Sequence, residues 1–321
     1  MRSRLLFFFF LLGAAAFGQN TGRFSQVNFA QGINNPAAIA IDSKIMVDMI
    51  FRNQWIGIEG APNIGALNAQ FELYHDMAAG ITASYDLIGV HHATQVSGQY
   101  AYRLFMENDN ALIFGVSAGI DQRVNDLASA QLIDPSDPVF STSYSKLRFN
   151  TGFGVFYNAP KFYVGASLPQ FFQNTFRGRA FYLPGWHFYS SAGGYFDLGE
   201  SYTLNPNLQI KVVQNAPIQG DLILRNTFLN AFSVVAGYSS ENAVIGGFDF
   251  LVGGTYRMGY SFNYGLGSLS RTKGGSHELY VGIGLPYHNT RENFGQKKYL
   301  NKKGKHRRDF HKGYKHRRWF D

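Results

Sequence analysis

Two short histidine groupings are the first residues of the chain that could do chemistry. His75 precedes Asp76, and His91 precedes His92, so each pair could supply metal ligands or a catalytic base. Either site would need further groups that converge in space, and neither grouping has them nearby in the sequence. The absence of cysteine excludes thiolate metal sites, cysteine nucleophiles and disulfide frameworks. We therefore expect no enzymatic activity, no catalytic residues, no metal and no cofactor. A hydrolase with Ser, His and Asp scattered over several strands stays a minor alternative.

The first 18 residues have the pattern of a secretory signal peptide. Met1–Arg4 is positively charged, Leu5–Phe17 is apolar, and Ala16 and Gly18 are small residues placed for cleavage before Gln19. The apolar run is shorter than the roughly 20 residues of a transmembrane helix. No later apolar run approaches that length. The sequence therefore predicts export without a helical membrane span.

Alternation of apolar and polar residues dominates the chain after this segment. Ile45 and Phe51 share one parity, while Asp48 and Arg52 share the other. A period of two indicates β-strands, and Gly and Pro mark the turns between them. Fourteen such segments are predicted, with boundaries uncertain by several residues, at 44–55, 64–74, 77–86, 92–104, 110–122, 147–157, 161–168, 186–197, 202–213, 218–228, 231–239, 242–252, 256–264 and 276–285.

Three features favour a membrane barrel over a soluble sandwich. The segments approach the 9–11 residues of a tilted transmembrane strand, and the signal peptide provides an export route. The connections also alternate in length, as they do in outer-membrane barrels. Short turns are predicted at 75–76, 158–160, 199–200 and 253–255, and long loops at 56–63, 123–146, 169–185 and 265–275. We therefore predict an all-β protein: a transmembrane antiparallel β-barrel of the outer-membrane type with about 14 strands, an N-terminal arm and a basic C-terminal tail.

Charged residues on one strand face are predicted to point into the barrel, because charge facing lipid is costly. They could form a polar pore, a docking site for the N-terminal arm, or ion pairs that hold the barrel shape. This set has both signs and comprises Asp48, Arg52, Glu72, Arg103, Asp121, Arg123, Asp221, Arg225, Arg257 and Glu278.

The predicted organisation has four parts. Residues 1–18 form the signal peptide, 19–43 an N-terminal arm that is periplasmic or plugs the lumen, 44–286 the outer-membrane barrel, and 287–321 a flexible periplasmic tail. Residues 291–321 contain 12 Lys/Arg against 3 Asp/Glu, with aromatic residues between the basic ones.

Several short motifs resemble the PorP/SprF family of type IX secretion outer-membrane proteins of Bacteroidota. They are Phe24–Gln26, the segment from Ile33 through Asn35 and Pro36 to Ala37, Arg52–Gly57 with Gly60–Pro62, Phe114–Gln122 and Gly275–Leu279. The resemblance covers nearly all of residues 24–285. It implies a non-enzymatic barrel of the gliding and protein-export apparatus, working with a secreted adhesin or with periplasmic motor and anchoring proteins.

Three groups of candidate binding residues follow from these motifs and from the charge pattern. The first is an N-terminal arm motif: Phe24, Ser25, Gln26, Asn35 and Pro36. The second is a partner-binding loop: Arg52, Asn53, Gln54, Trp55, Gly57 and Glu59. The third is the basic tail, to which the family resemblance does not extend: Lys297, Lys298, Lys302, Lys303, Arg307, Arg308, Arg317 and Arg318.

The basic tail and the barrel each leave alternatives open. The tail could bind an acidic protein surface or the cell wall, or it could be a solvated charge run; export makes nucleic acid an unsuitable partner. Besides membrane lipid, we expect protein partners. The alternative function is an outer-membrane channel or transporter for hydrophobic or small solutes.

Overall fold

The computed structural model describes residues 24–26, 28–39, 45–74, 76–127, 143–175, 186–199, 201–214, 216–267 and 274–285, with the backbone alone for 172–175. The predicted signal peptide, its cleavage site and the basic tail lie outside these residues. No helix in the described part of the chain is long and apolar enough to cross a membrane.

The fold is a closed antiparallel barrel. Apart from β8 and β9, each strand pairs with its neighbours in sequence, and β15 pairs with β1. β8 and β9 both pair with β10 and share one position in the wall, so the wall has the fourteen positions that the sequence predicted. The strands are β1 (Ile45–Asn53), β2 (Asn63–Tyr74), β3 (Met77–Ile88), β4 (His91–Phe105), β5 (Ala111–Asn125), β6 (Tyr144–Asn158), β7 (Phe162–Thr175), β8 (His187–Gly194), β9 (Phe196–Gly199), β10 (Tyr202–Val213), β11 (Gln219–Phe228), β12 (Phe232–Ser239), β13 (Ala243–Val252), β14 (Tyr256–Gly265) and β15 (Ser276–Leu285).

Burial follows strand parity in the sense expected of a membrane barrel. On β1, Ile45 and Phe51 are 44% and 49% exposed, whereas Asp48 and Arg52 are 0% and 7% exposed. The apolar side chains therefore cover the outer face, and polar side chains line the interior. This inversion of the soluble pattern matches an apolar band facing lipid and a polar lumen.

Most predicted strand boundaries lie within three residues of the observed ones, and two segments differ further. β7 continues to Thr175 instead of ending at 168, and the predicted segment 186–197 is interrupted at Tyr195. Pro206 lies in β10 opposite this interruption and has no N–H for the ladder. The side-chain amide of Asn205 donates to the Gly194 carbonyl at the break.

The two ends of the barrel have different connections. β1 begins and β15 ends at the same end, where Ile45 is opposite Leu285. We call this end the short-turn rim, because the connections there are short, as at Ala159–Lys161 and Gly253–Thr255. The opposite end, the long-loop rim, carries the connection 54–62 and those that follow β5, β7 and β14.

Candidate functional site

Residues 24–26 and 28–39, which we call the arm, lie inside the barrel. At one wall the backbone amides of Ser25 and Gln26 donate to the two carboxylate oxygens of Glu278 at 2.8 and 2.6 Å. Arg52 donates to the Ser25 hydroxyl at 3.1 Å and forms an ion pair with Glu278 at 3.3 Å. Asn263 also bonds the Ser25 side chain. A buried carboxylate of β15 therefore holds the beginning of the arm by charge-assisted hydrogen bonds.

Phe29 of the arm lies in a seat made by three side chains of the wall. Its ring stacks on Tyr280 with centroids 4.8 Å apart. The guanidinium carbons of Arg225 and Arg257 lie 3.5 and 4.2 Å from the ring centroid. Asp249 forms ion pairs with both arginines, at 3.2 and 3.0 Å. The carboxylate offsets the repulsion between the two cations, so both can approach the ring, an arrangement that favours cation–π attraction.

The end of the arm is anchored on the opposite wall through Asn35. Its side-chain oxygen accepts from Ala37 N at 2.9 Å and caps the 3₁₀ helix Pro36–Ala38, which Pro36 opens. Its side-chain nitrogen donates to the Val155 carbonyl of β6 at 3.2 Å. A Cβ on Gly154 would overlap this amide, and a Cβ on Gly115 would overlap the backbone at Ala37. Two inward-facing glycines therefore provide the space that the arm occupies.

Between these anchors the arm is bonded to further strands around the lumen. Gln99 of β4 donates to Gly32 O at 2.6 Å, and Gln209 of β10 donates to the Asn28 side chain at 2.6 Å. Ser191 of β8 donates to the Gln31 side chain at 3.4 Å. A cavity of about 40 Å³ remains between the arm and β7, β8 and β10. The arm thus crosses the bore and contacts opposite sides of the wall.

The residues of the predicted partner-binding loop are divided between two places. Arg52 is buried with the arm, while Asn53, Gln54, Trp55, Gly57 and Glu59 lie on the long-loop rim. Trp55 has a φ of 48° and Gly57 a φ of 90°. Ile56 exchanges backbone hydrogen bonds with Gly274 and Gly275 at 3.1 and 3.0 Å. A bulky residue in the left-handed region is rare and indicates that its surroundings hold it there.

A cavity of about 360 Å³ opens on the rim beside this loop. Its lining residues are uncharged and come from the loop, from β1, β2 and β3, and from the β3–β4 connection; they are Asn53, Gln54, Ile56, Gly57, Ile58, Gly60, Ala61, Asn63, Leu87 and Gly89. Gly89 N donates to Gly60 O at 2.9 Å and joins the two connections. The cavity is therefore a preformed, neutral concavity within the size range of ligand sites.

The histidine groupings do not form a common site. His91 contacts Asn125 at 2.8 Å and His92 contacts Tyr85 at 3.1 Å. His75 lies outside the described residues. Within the described ranges, no cluster of three or more His, Asp or Glu residues could hold a metal ion.

Sequence reasoning missed several residues that hold the arm. Asp249 was absent from the predicted lumen charges, although its parity on β13 matches the inward-facing set. Phe29 and Gly115 gave no local signal, because their partners are far apart in the sequence. Arg148 was also missed; it pairs with Asp121 at 2.6 Å, and Arg123 approaches the same carboxylate at 3.4 Å.

The apolar outer face, the polar interior and the closed wall define an outer-membrane β-barrel. Residues 16–283 match the family described as type IX secretion system membrane protein PorP/SprF. The chain belongs to this family, which implies protein partners within the secretion machinery. Comparison with curated protein sequences gives no match.

Solved structures with a similar fold are outer-membrane channels and porins. The CymD monoaromatic hydrocarbon channel is 12% identical, covers 87% of this chain and 97% of its own, and has a TM-score of 0.51. The Pseudomonas putida toluene transporter TodX is 10% identical, covers 86% and 97%, and has a TM-score of 0.46. Acinetobacter baumannii Omp33 is 9% identical, covers 76% and 99%, and has a TM-score of 0.41. At such identities the likeness concerns the fold alone.

Proposed function

We propose that the protein is a non-enzymatic component of the type IX secretion and gliding machinery that holds or helps export a secreted adhesin, or links the outer membrane to periplasmic partners. The observation that carries this proposal is the arm. A solute channel needs a free bore, whereas here the chain's own segment is bonded to opposite walls through Glu278 and Asn35. A barrel closed in this way serves as a rigid scaffold whose two rims are its binding surfaces.

The proposed orientation places the short-turn rim in the periplasm and the long-loop rim outside the cell. Outer-membrane barrels have short periplasmic turns and longer extracellular loops. Ile45 and Leu285 are register partners at the short-turn rim, so the chain enters and leaves the barrel on the periplasmic side. In this orientation the rim cavity faces the exterior and is available to an exported protein.

The cavity beside Trp55 is the proposed contact for the exported partner. Its lining is uncharged and includes Ile56, Ile58 and Leu87, which suits one or two apolar side chains of a partner segment. Trp55 is 37% exposed and Ile56 is 44% exposed. Aromatic residues at the centre of an interface commonly carry much of the binding energy.

The basic tail is proposed to act in the periplasm. Its 12 Lys/Arg within residues 291–321 would attract an acidic partner surface or the cell wall. Such attraction weakens as salt rises, because the Debye length falls from about 10 Å at 0.1 M to about 3 Å at 1 M.

Co-purification in mild detergent followed by mass spectrometry tests the binding role. We expect wild-type protein to retain a secreted or periplasmic partner of the export machinery. Ile56→Ala, on an exposed residue that lines the cavity, should lose the exported partner, whereas Tyr74→Ala, on an exposed residue at the short-turn rim, should retain it. Equal recovery of the exported partner by both variants would contradict the assignment of the cavity.

A channel for hydrophobic or small solutes is the second candidate. The fold similarity to CymD, whose described activity is that of a monoaromatic hydrocarbon channel, is the observation that supports it. Uptake of small aromatic and hydrophilic solutes into liposomes separates the two candidates. Rapid uptake by the full chain, with no co-purifying partner, would favour the channel.

A further inference from the structure

The arm extends along the lumen from one rim towards the other. Its head, residues 24–26, is held by Glu278, which is two positions from the long-loop end of β15. Its foot, residues 35–39, bonds Val155 through Asn35, and Val155 is three positions from the short-turn end of β6. From Glu278, β15 continues for seven positions to the short-turn rim, about 23 Å at about 3.3 Å per residue. The two ends of the arm therefore lie at different depths, one near each rim.

Each end of the arm packs in an apolar cluster of its own. The head cluster joins Phe24 to Ile50 and Ile64, and Ile64 is the second residue of β2 counted from the long-loop rim. The foot cluster joins Ala37 and Ile39 to wall residues near the short-turn rim, namely Ala78, Ala101 and Ala111. The two clusters share no residue. The arm is therefore held separately at its head and at its foot.

The chain between the head and the foot is folded into turns. It forms two 3₁₀ turns, Gln31–Ile33 and Pro36–Ala38, and the Asn35 N–H donates at 2.9 Å to the carbonyl that opens the first turn. The first turn also lies against the foot, because a Cβ on Gly32 would stand 2.9 Å from Ile39 Cγ2. Since hydrogen bonds and packing join the two turns, a displacement of the foot is passed on towards the head.

The head is bonded to the strands that carry the rim cavity. The Glu278 carboxylate accepts from the head and from Arg52, and the next residue of β1, Asn53, lines the cavity. On β15 the Ser276 hydroxyl accepts from Trp55 N at 3.3 Å. Trp55 belongs to the connection 54–62, which we call the cavity loop, and its left-handed backbone needs such support. β1 and β15 thus hold the head and also shape the cavity.

We propose that the arm couples the two rims, so that docking of the foot and formation of the rim cavity favour each other. The foot fixes the folded arm, the head then holds Glu278 and Arg52, and β1 and β15 keep the cavity loop in its strained conformation. The biological role of this coupling rests on the proposed function, which supplies the orientation of the barrel and the exported partner. A periplasmic event that frees the foot then lowers the affinity of the cavity, and a bound exported partner tightens the foot by the same factor.

Variants at the foot test whether the distant rim responds. Gly154→Ala places a Cβ where the side-chain amide of Asn35 lies. Asn35→Ala removes that amide and serves where Gly154→Ala fails to fold. Gly246→Ala is the matched control, because this glycine is on the outer face and its Cβ would meet nothing within 4 Å. Heat-modifiable migration on gels selects the folded barrels.

Hydrogen exchange read by mass spectrometry then compares the two ends in purified protein without any partner. Two amides of the cavity loop, those of Gln54 and Ile58, donate to carbonyls within the loop at 2.9 and 3.1 Å. We expect the peptide that contains them to exchange about fivefold faster or more in Gly154→Ala than in wild type. Gly246→Ala should exchange as wild type does.

The reverse experiment perturbs the rim and measures the foot. Ser276→Ala removes the acceptor of Trp55 N without touching the foot. Because coupling is reciprocal, the peptide that contains the foot, in which Ala38 N donates to Asn35 O at 2.9 Å, should also exchange about fivefold faster or more.

The outcome that overturns the coupling is a response confined to the perturbed end. Wild-type exchange of the cavity loop in a folded variant whose foot exchanges faster would be such a result. So would wild-type exchange of the foot in Ser276→Ala when its cavity loop exchanges faster. No partner is present in these measurements, so they do not depend on the proposed function, which the comparison of Ile56→Ala with Tyr74→Ala tests separately.

Discussion

Replacing Phe29 with leucine removes an aromatic ring that contacts two guanidinium groups while keeping most of the apolar volume. The ring centroid lies 3.5 Å from Arg225 Cζ and 4.2 Å from Arg257 Cζ, and each cation–π contact contributes about 1 kcal/mol in such a setting. The stacked pair with Tyr280, at 4.8 Å, contributes about 1 kcal/mol more. Docking of the arm should therefore weaken by about 3 kcal/mol, which raises the undocked fraction about a hundredfold.

Hydrogen exchange read by mass spectrometry measures this change directly, because exchange of the arm amides reports local opening. We expect the peptide that contains Phe29 to exchange about a hundredfold faster in Phe29→Leu, with wild-type protection in the barrel strands. Phe248→Leu is the matched control, since Phe248 lies on the outer face and is 42% exposed. Equal exchange of the arm amides in the two folded variants would refute the role assigned to the contacts of Phe29 with Tyr280, Arg225 and Arg257.

Three further predictions concern the wall and the tail. Phe71→Arg places a charge on the lipid-facing side and should destabilise the inserted barrel by about 2–4 kcal/mol near mid-bilayer. Gln70→Arg, beside Asp48 in the lumen, should destabilise it less. Equal yields of folded, heat-modifiable barrel from the two variants would contradict the parity assignment. Asp249→Asn leaves two buried arginines without their shared carboxylate and should destabilise the protein by about 3–5 kcal/mol, measured as a lower denaturant midpoint. An unchanged midpoint would contradict the role given to the two ion pairs of Asp249. Deleting residues 291–321 should reduce recovery of periplasmic partners at low salt. Unchanged recovery of these partners in a pull-down would contradict the binding role of the tail.

The strand pattern was predictable from the sequence because parity is a local property. Asp48 and Arg52 had to share a face, and only the lumen accepts them without a large penalty. The interruption at Tyr195 was not predictable in the same way. Its cause lies in Pro206 on the neighbouring strand, and alternation within 186–197 carries no information about register with a partner.

The candidate site was harder to derive, because its contacts join distant parts of the chain. Ser25 and Glu278 are 253 residues apart in the sequence, and only the resemblance to a family singled out the arm motif. Gly154 gave a weak signal as an inward-parity glycine in a strand, which indicates close approach of another backbone. The group that approaches Gly154 is the side-chain amide of Asn35. The sequence does not identify this group, because the approach depends on how the barrel closes around the arm.

The conductance of the purified full-length protein in planar lipid bilayers tests the central claim most directly. A bore crossed by the bonded arm predicts no lasting conductance step with the full chain. Deletion of residues 24–39 should produce stable open steps in the same bilayers. A robust open pore formed by the intact, folded chain would contradict a closed scaffold and favour the channel instead.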